Sequence, residues 1–407
     1  MGTLRFLQEN APWLAAGVLL TFLSSFGQTF FISVFAGEIR ETFGLSHGEW
    51  GGIYTLGTSA AAIAMVWAGG LTDHFRVRAL GAGILALLAG ACLFMSFNTA
   101  AWALPVVIFA LRFTGQGMTS HTAVVAMSRW FVATRGRALS VATLGFSVGE
   151  ALLPVLFVAL LVRYDWRMLW IAAAVIALAG IPLLIALLRN ERLPQSFAKS
   201  QATLGMDGRH WTRNQALKHY LFWFMVPALL GPAAFLTAFF FHQVHFAEVK
   251  QIAHIHLVAL FPVYTGLSIV SMLIIGGLLD RLGSGRLMPF AQLPMVAAFL
   301  AFAWAGGSTG ILVGLFFMSV STGALMTLPN AFWAEFYGTR HIGSVKAMAA
   351  AVMVLGSALG PGITGLGIDA GIGIEAQYVI VAGYFLFTTA MMWIGIDRAR
   401  PSLAQPA

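Results

Sequence analysis

Twelve apolar segments, at about 12–36, 50–71, 79–97, 102–126, 138–161, 168–188, 220–244, 255–279, 287–305, 310–333, 347–368 and 376–396, occupy most of the 407 residues. Each has roughly the 17–25 residues that an α-helix needs to cross the hydrocarbon core of a bilayer. In lipid every backbone polar group must find a partner within the chain, so only helices and closed barrels can span it. The alternating strands of roughly ten residues that build a barrel are absent. Composition agrees, since charged residues make up 9% of the chain against about 25% in soluble domains. The expected fold is an all-α integral membrane protein with twelve transmembrane helices.

The net charge of +8 does not indicate nucleic acid as a partner, because the 23 basic residues are spread along an apolar chain. They report topology instead. With the N-terminus in the cytoplasm, 18 Lys and Arg fall inside, four (Arg40, Arg163, Arg167 and Lys250) fall outside, and Arg112 lies within a span. The positive-inside rule then places both termini in the cytoplasm of a multi-pass protein of the plasma membrane, taken as a bacterial inner membrane. The longest hydrophilic stretch carries Pro194, Gly205, Gly208 and six basic residues. It divides the chain into a first six-helix bundle (1–188), a cytoplasmic linker (189–219) and a second six-helix bundle (220–407). The first apolar stretch is too long for a cleavable signal. The lone Cys92 rules out an internal disulfide and any cysteine-based metal or redox site. No metal or cofactor is expected, and no phosphate-binding glycine loop suggests an ATPase. A gradient, or the substrate itself, must supply the energy.

The two halves echo each other. Asp73 follows the second span and Asp280 the eighth, an offset of 207; Thr134-Arg135 and Thr339-Arg340 are offset by 205. Gly145 and Gly149 in the fifth span match Gly356 and Gly360 in the eleventh, offset by 211. The repeat implies two pseudo-symmetric bundles of the kind that rock around a midplane site.

On these motifs the chain resembles the major facilitator superfamily over nearly its whole length. Gly69-Gly70-Leu71-Thr72-Asp73-His74-Phe75-Arg76-Val77-Arg78 is similar to the family signature between helices 2 and 3, with Arg76 where the signature has glycine. The second copy, Gly276-Gly277-Leu278-Leu279-Asp280-Arg281-Leu282-Gly283, is intact. Arg112-Phe113-Thr114-Gly115-Gln116-Gly117 resembles the helix 4 signature, whose arginine the family links to proton or substrate coupling. Gly356-Ser357-Ala358-Leu359-Gly360-Pro361 resembles the Gly-Pro signature of antiporter helix 5, displaced here to helix 11. Arg129-Trp130-Phe131 with Arg135-Gly136-Arg137-Ala138 is similar to the monocarboxylate and oxalate/formate branches. The basic residue those branches carry inside helix 8 or 11 is missing, with Lys346 only at the edge of the eleventh span. The resemblance implies that Asp73, Arg135, Asp280 and Arg340 latch the cytoplasmic face.

Arg112 and Glu150 are the full charges within the twelve spans. Ionisable residues at that depth mark function by default. Each lies 19 residues from Phe131, so an antiparallel hairpin brings them to similar depth. A structural ion pair is the plainer alternative. Burial raises a glutamate's pKa and a neighbouring arginine lowers it, which suits Glu150 to carry a coupled proton. Candidate substrate contacts are Ser25, Gln28 and Thr29 in the first span, Tyr54, Arg112, Tyr264, and Ser319 and Asn330 in the tenth. Hydrogen bonding between helices is the alternative for these polar groups. His121 reads as a packing residue, and His242, His245, His254 and His256 as a solvated outer loop rather than a metal clip.

The function these observations suggest is secondary active transport of a small organic solute, such as a monocarboxylate, by a monomer with proton symport. An efflux antiporter for amphipathic compounds and a non-transporting membrane sensor are the rivals. A membrane-embedded enzyme is not expected, because no catalytic cluster is visible.

Overall fold

The computed structural model describes residues 3–131, 134–191, 204–304 and 306–403. Pro194 and the rest of the expected linker from 192 to 203 lie outside these residues, as do the side chains of Asp73 and Arg135. Regular structure among the described residues is helical throughout.

Every predicted span is found. The first, α1, is a bent pair, Ala11–Gly27 and Thr29–Phe43, with 48° between its parts. Then come α2 (His47–Ala68), α3 (Val77–Phe97), and α4, which runs from Leu104 to Trp130 through a π-helical segment at Arg112–Thr119. The first half ends with α5 (Arg135–Leu161) and α6 (Trp166–Leu187). The second half has α7 (Tyr220–Phe241), α8 (Phe261–Leu282), α9 (Ser284–Trp304, with a 3-10 turn at Met288–Phe290), α10 (Gly307–Tyr337), α11 (Ile342–Asp369) and α12 (Ile374–Ala399). Among the described residues ten helices, and the bent pair as an eleventh, are each long and apolar enough to cross a membrane. The interrupted α4 supplies the twelfth span.

The chain forms two compact units, Met1–Lys199 with Phe240–Val244, and Ser200–Phe239 with His245–Ala407. The pairing of helices repeats. In the first unit α3 lies along α6 and α2 along α4; in the second α9 lies along α12 and α8 along α10. The glycine pairs seen in the sequence explain a third contact. A Cβ at Gly145 would stand 2.0 Å from the Val18 carbonyl oxygen, and one at Gly149 2.0 Å from Ser25 Oγ, so α5 presses its backbone against α1. Equivalent atoms at Gly356 and Gly360 would meet the carbonyls of Leu230 and Ala234 at 2.6 and 2.1 Å, pressing α11 against α7. Small residues at such seams let helix backbones approach closely, which is how helices associate in lipid.

Each unit has an aromatic core. In the first, Phe31 sits edge-on to Phe26, Phe35, Phe157 and Trp170, with centroids 4.8 to 5.5 Å apart. In the second, Phe299 and Phe302 surround the buried ring of Tyr378. The hydrophilic stretch read from sequence as a linker is folded in its later part. Met206 and Trp211 are buried in the second unit's core, and Trp211 donates its backbone N–H to the Tyr337 carbonyl at 3.0 Å. Burial there holds the His219 imidazole below its ordinary pKa.

The connection between α7 and α8 is only in part the expected solvated loop, with His256 exposed and His245 and His254 half-buried. It contains two short helices, Gln243–Val249 and His254–Val258, and His242 is 3% exposed. The sequence from 243 to 258 has enough apolar residues (Val244, Phe246, Ile255, Leu257) to bury one face.

The seam predicts its own test. Gly145→Ala forces a methyl into a backbone carbonyl and should destabilise the purified protein by about 1–3 kcal/mol. Gly83→Ala, with nothing within 4 Å of the new methyl, should be neutral or gain up to about 1 kcal/mol from helix propensity. Thermal unfolding in detergent compares the two directly.

Candidate functional site

The backbone of α1 breaks at Gln28, which is extended (φ −87°, ψ 154°) after a turn of 3-10 helix at Ser24–Gly27. A break of this kind frees carbonyls that lipid cannot satisfy. Here α4 answers it. Arg112 Nη1 donates to the Gly27 carbonyl at 3.2 Å and to Thr29 Oγ1 at 3.3 Å. Thr29 Oγ1 in turn shares a hydrogen bond of 2.5 Å with Tyr54 Oη, and the guanidinium carbon stands 5.3 Å from the Tyr54 ring centroid.

The π segment makes this contact possible. Its wider register brings Gly115 onto Gly27, where a Cβ on either residue would overlap the other helix's backbone within 2.1 to 2.6 Å. Thr119 Oγ1 donates to the Thr114 carbonyl at 2.6 Å, using an acceptor within the segment. π-bulges of this kind recur at functional sites.

Arg112 is 2% exposed. Both of its bonds are longer than the roughly 2.7–2.9 Å of a strong charge-assisted contact, and its Nε has no hydrogen-bond partner among the described residues. Ser25 Oγ, on the same broken turn, is also buried without a partner. Gln28 is 8% exposed. Three polar groups of high hydrogen-bonding capacity thus surround one break. Buried polar groups without partners are rare enough in native proteins to require a reason.

An ion pair with Glu150 is not among the described contacts of Arg112. Glu150 is half-buried on α5, next to Gly149, which fixes that helix against Ser25. Both charged residues are therefore carried by helices locked to the same stretch of α1, and the sequence found both. It did not show the break or the π segment. Gly27 and the Gly115-Gln116-Gly117 run were the available signals.

Tyr54 is fully buried, and its ring lies 4.6 Å from that of Phe241, which also stacks on Trp50. Gln243 Nε2 donates to Ser33 Oγ at 2.6 Å and to the Phe30 carbonyl at 3.3 Å, anchoring residues 240–244 within the first unit.

In the second unit Tyr264 Oη meets Thr322 Oγ1 at 3.1 Å. Thr322 borders a cavity of about 290 Å³ lined also by Leu229, Pro232, Met326, Pro329 and Met353. Ser319 and Asn330 lie elsewhere in their interactions. Ser319 Oγ donates to the Phe316 carbonyl at 2.6 Å, and the exposed Asn330 donates to the Met326 carbonyl at 3.2 Å, both within α10. His121 Nε2 lies 3.3 Å from the Gly69 carbonyl, a packing position.

Of the expected latch, Asp280 and Arg340 are both exposed. Two carboxylates that the sequence reading passed over serve the same loops. Glu191 Oε1 accepts the Val77 N–H at 2.9 Å, and Glu335 Oε2 accepts the Ser284 N–H at 3.0 Å. Val77 and Ser284 are offset by 207, as are Asp73 and Asp280.

Residues 17–361 match the family model described as Major Facilitator Superfamily. No curated protein matches the chain. Among solved structures it is similar to a bacterial homolog of the human lysosomal transporter Spinster in an inward-facing, unoccupied conformation, at 15% identity and a TM-score of 0.71, covering 98% of this chain and 99% of that one. It is also similar to the nucleoside transporter NupG, at 16% identity and a TM-score of 0.70, covering 95% and 99%. At these identities the likeness is one of fold.

The Arg112–Thr29–Tyr54 chain of contacts predicts unequal mutants. Thr29→Val removes the central hydroxyl, leaving Arg112 and Tyr54 each short of a partner, and should destabilise by about 1–3 kcal/mol. Tyr54→Phe keeps the Arg112–Thr29 bond and should lose less. Equal melting shifts for the two variants in detergent would show that Arg112 does not depend on Thr29.

Proposed function

Because the chain belongs to the Major Facilitator Superfamily, we propose that it is a secondary transporter that moves a small organic anion, such as a monocarboxylate, by alternating access in symport with protons. The supporting observation is the buried guanidinium of Arg112, loosely bonded at 3.2 and 3.3 Å to groups that carry no charge. A buried cation calls for an anion. A solute carboxylate can take the Nε–H that has no partner among the described residues, while the buried Ser25 hydroxyl and the Gln28 side chain on the same break supply further hydrogen bonds.

Glu150 is the proton carrier in this reading. Protonated, it lets the loaded carrier reorient without an isolated negative charge in lipid; ionised, it returns the proton to water. Arg112 then belongs to the solute rather than to a permanent ion pair. The chain works as a monomer in a plasma membrane, both termini on the arginine-rich cytoplasmic side. A second reading, efflux of amphipathic compounds in exchange for protons, draws on the methionine-lined cavity of the second unit, since flexible thioethers adapt to varied apolar shapes.

Flux into proteoliposomes under an imposed proton gradient tests both. Arg112→Gln should reduce uptake of a carboxylate solute by about 10- to 100-fold, the worth of a hydrogen bond to a charged group. Glu150→Gln should abolish accumulation against the gradient and keep counterflow exchange. Wild-type accumulation by Glu150→Gln would remove the proton role. Outward movement of amphipathic compounds that is indifferent to Arg112→Gln would favour efflux.

A further inference from the structure

The turn between α2 and α3 departs from its repeat in a way that creates a second site. In the second copy Gly283 takes φ 76°, a left-handed conformation that only glycine adopts without strain. The first copy has Arg76 there, at φ −66° and ψ 142°. Two residues on, Gly285 is matched by Arg78. The first unit thus carries two cations where the second has two glycines. The structural need of the turn, a partner for the N–H of Val77 or Ser284, is met in both copies by a carboxylate.

These arginines line a cavity of about 320 Å³, walled by Phe75, Arg76, Arg78, Arg129, Arg189 and Glu191. Arg76, Arg78 and Arg189 are exposed, and among the described residues none has a side-chain hydrogen bond or ion pair. Arg129 is engaged, donating to the Thr72 carbonyl at 2.6 Å. Glu191, the one carboxylate among the described lining residues, is turned to the Val77 N–H and so holds the arginine-bearing turn in place. Phe75, 55% exposed, supplies an apolar rim.

We propose that this cavity is a binding site for a phosphate-bearing anion, held by Arg76, Arg78 and Arg189. The planar guanidinium matches phosphate oxygens in pairs. The phosphate has two sources: the headgroup of an acidic phospholipid, whose acyl chains would lie along Phe75, or a soluble phosphate ester. Basic pockets at the cytoplasmic ends of membrane helices take up such headgroups. The site stands apart from the solute site at Arg112, and its test needs no transport.

The melting temperature of the full chain in detergent micelles is followed during titration with dioleoylphosphatidylglycerol, with dioleoylphosphatidylcholine as baseline, and separately with glycerol 3-phosphate. A ligand bound only by the folded state raises it saturably. For the triple variant Arg76→Gln, Arg78→Gln, Arg189→Gln, the midpoint should shift by about tenfold or more. A control with Arg281→Gln and Arg286→Gln, exposed arginines of the second unit, should stay within about twofold of the wild type. Arginine-dependent stabilisation by the phospholipid identifies a lipid site; by glycerol 3-phosphate alone, a site for soluble esters. No saturable response, an unchanged midpoint in the triple variant, or an equal loss in the control overturns the proposal. Arg78→Gln alone gives the same readout, smaller, should the triple variant fail to purify.

Discussion

The contact between the Arg112 guanidinium and the broken turn of α1 sets the terms for the rest of the first unit. A charge near the centre of a membrane helix costs at least about 2.5–3.5 kcal/mol on the most lenient scale. A helix that breaks at the same depth leaves backbone carbonyls to satisfy. Each defect is tolerable because it answers the other, with the Gly27 carbonyl accepting from Nη1. The remaining features follow as conditions for that contact. Glycines must face each other at Gly27 and Gly115, α4 must widen into a π segment, and a hydroxyl must stand at Thr29 to hand the bond on to Tyr54.

The glycine seams of α5 and α11 show how the repeat is kept while its chemistry diverges. Both helices press on their neighbour two glycines at a time, and the residue after the second glycine is Glu150 in one half and Pro361 in the other. The seam is thus kept in both halves while the residue beside it differs, a half-buried carboxylate in one and a buried proline in the other.

Much of this was legible in the sequence because lipid leaves so few choices. Twelve apolar stretches of spanning length had to be helices, and Arg112 and Glu150 stood out against a background without charge. The glycine offsets were visible, although their role as backbone seams was not. What escaped has a common cause: the features depend on hydrogen-bond register or on partners distant in the chain. The break at Gln28 and the π segment carry no proline to announce them. Glu191 finds the Val77 N–H from 114 residues away, and a cap of that kind leaves no local pattern. The stretch from Met206 to Trp211 looks hydrophilic on average, yet two large apolar side chains suffice to dock it. Of the histidines read as a solvated loop, His256 is exposed, but His242 is buried beside the ring of Phe241, a partner that composition does not reveal.

The two units divide polar from apolar work. The intramembrane charges, the broken helix and the π segment belong to the first unit; the second offers a neutral hydroxyl pair, Tyr264 and Thr322, beside a methionine-lined cavity. This division has an electrostatic logic. Two sets of ionisable groups in low dielectric would couple their titrations and raise the desolvation cost of every state in a transport cycle. Confining the intramembrane charges to one unit avoids that coupling among the described residues. The cavity of the second unit is lined mainly by apolar side chains, with the hydroxyls of Thr237 and Thr322 at its border. In a chain built by repeating one six-helix fold, the intramembrane charges stand at places where the repeats no longer agree.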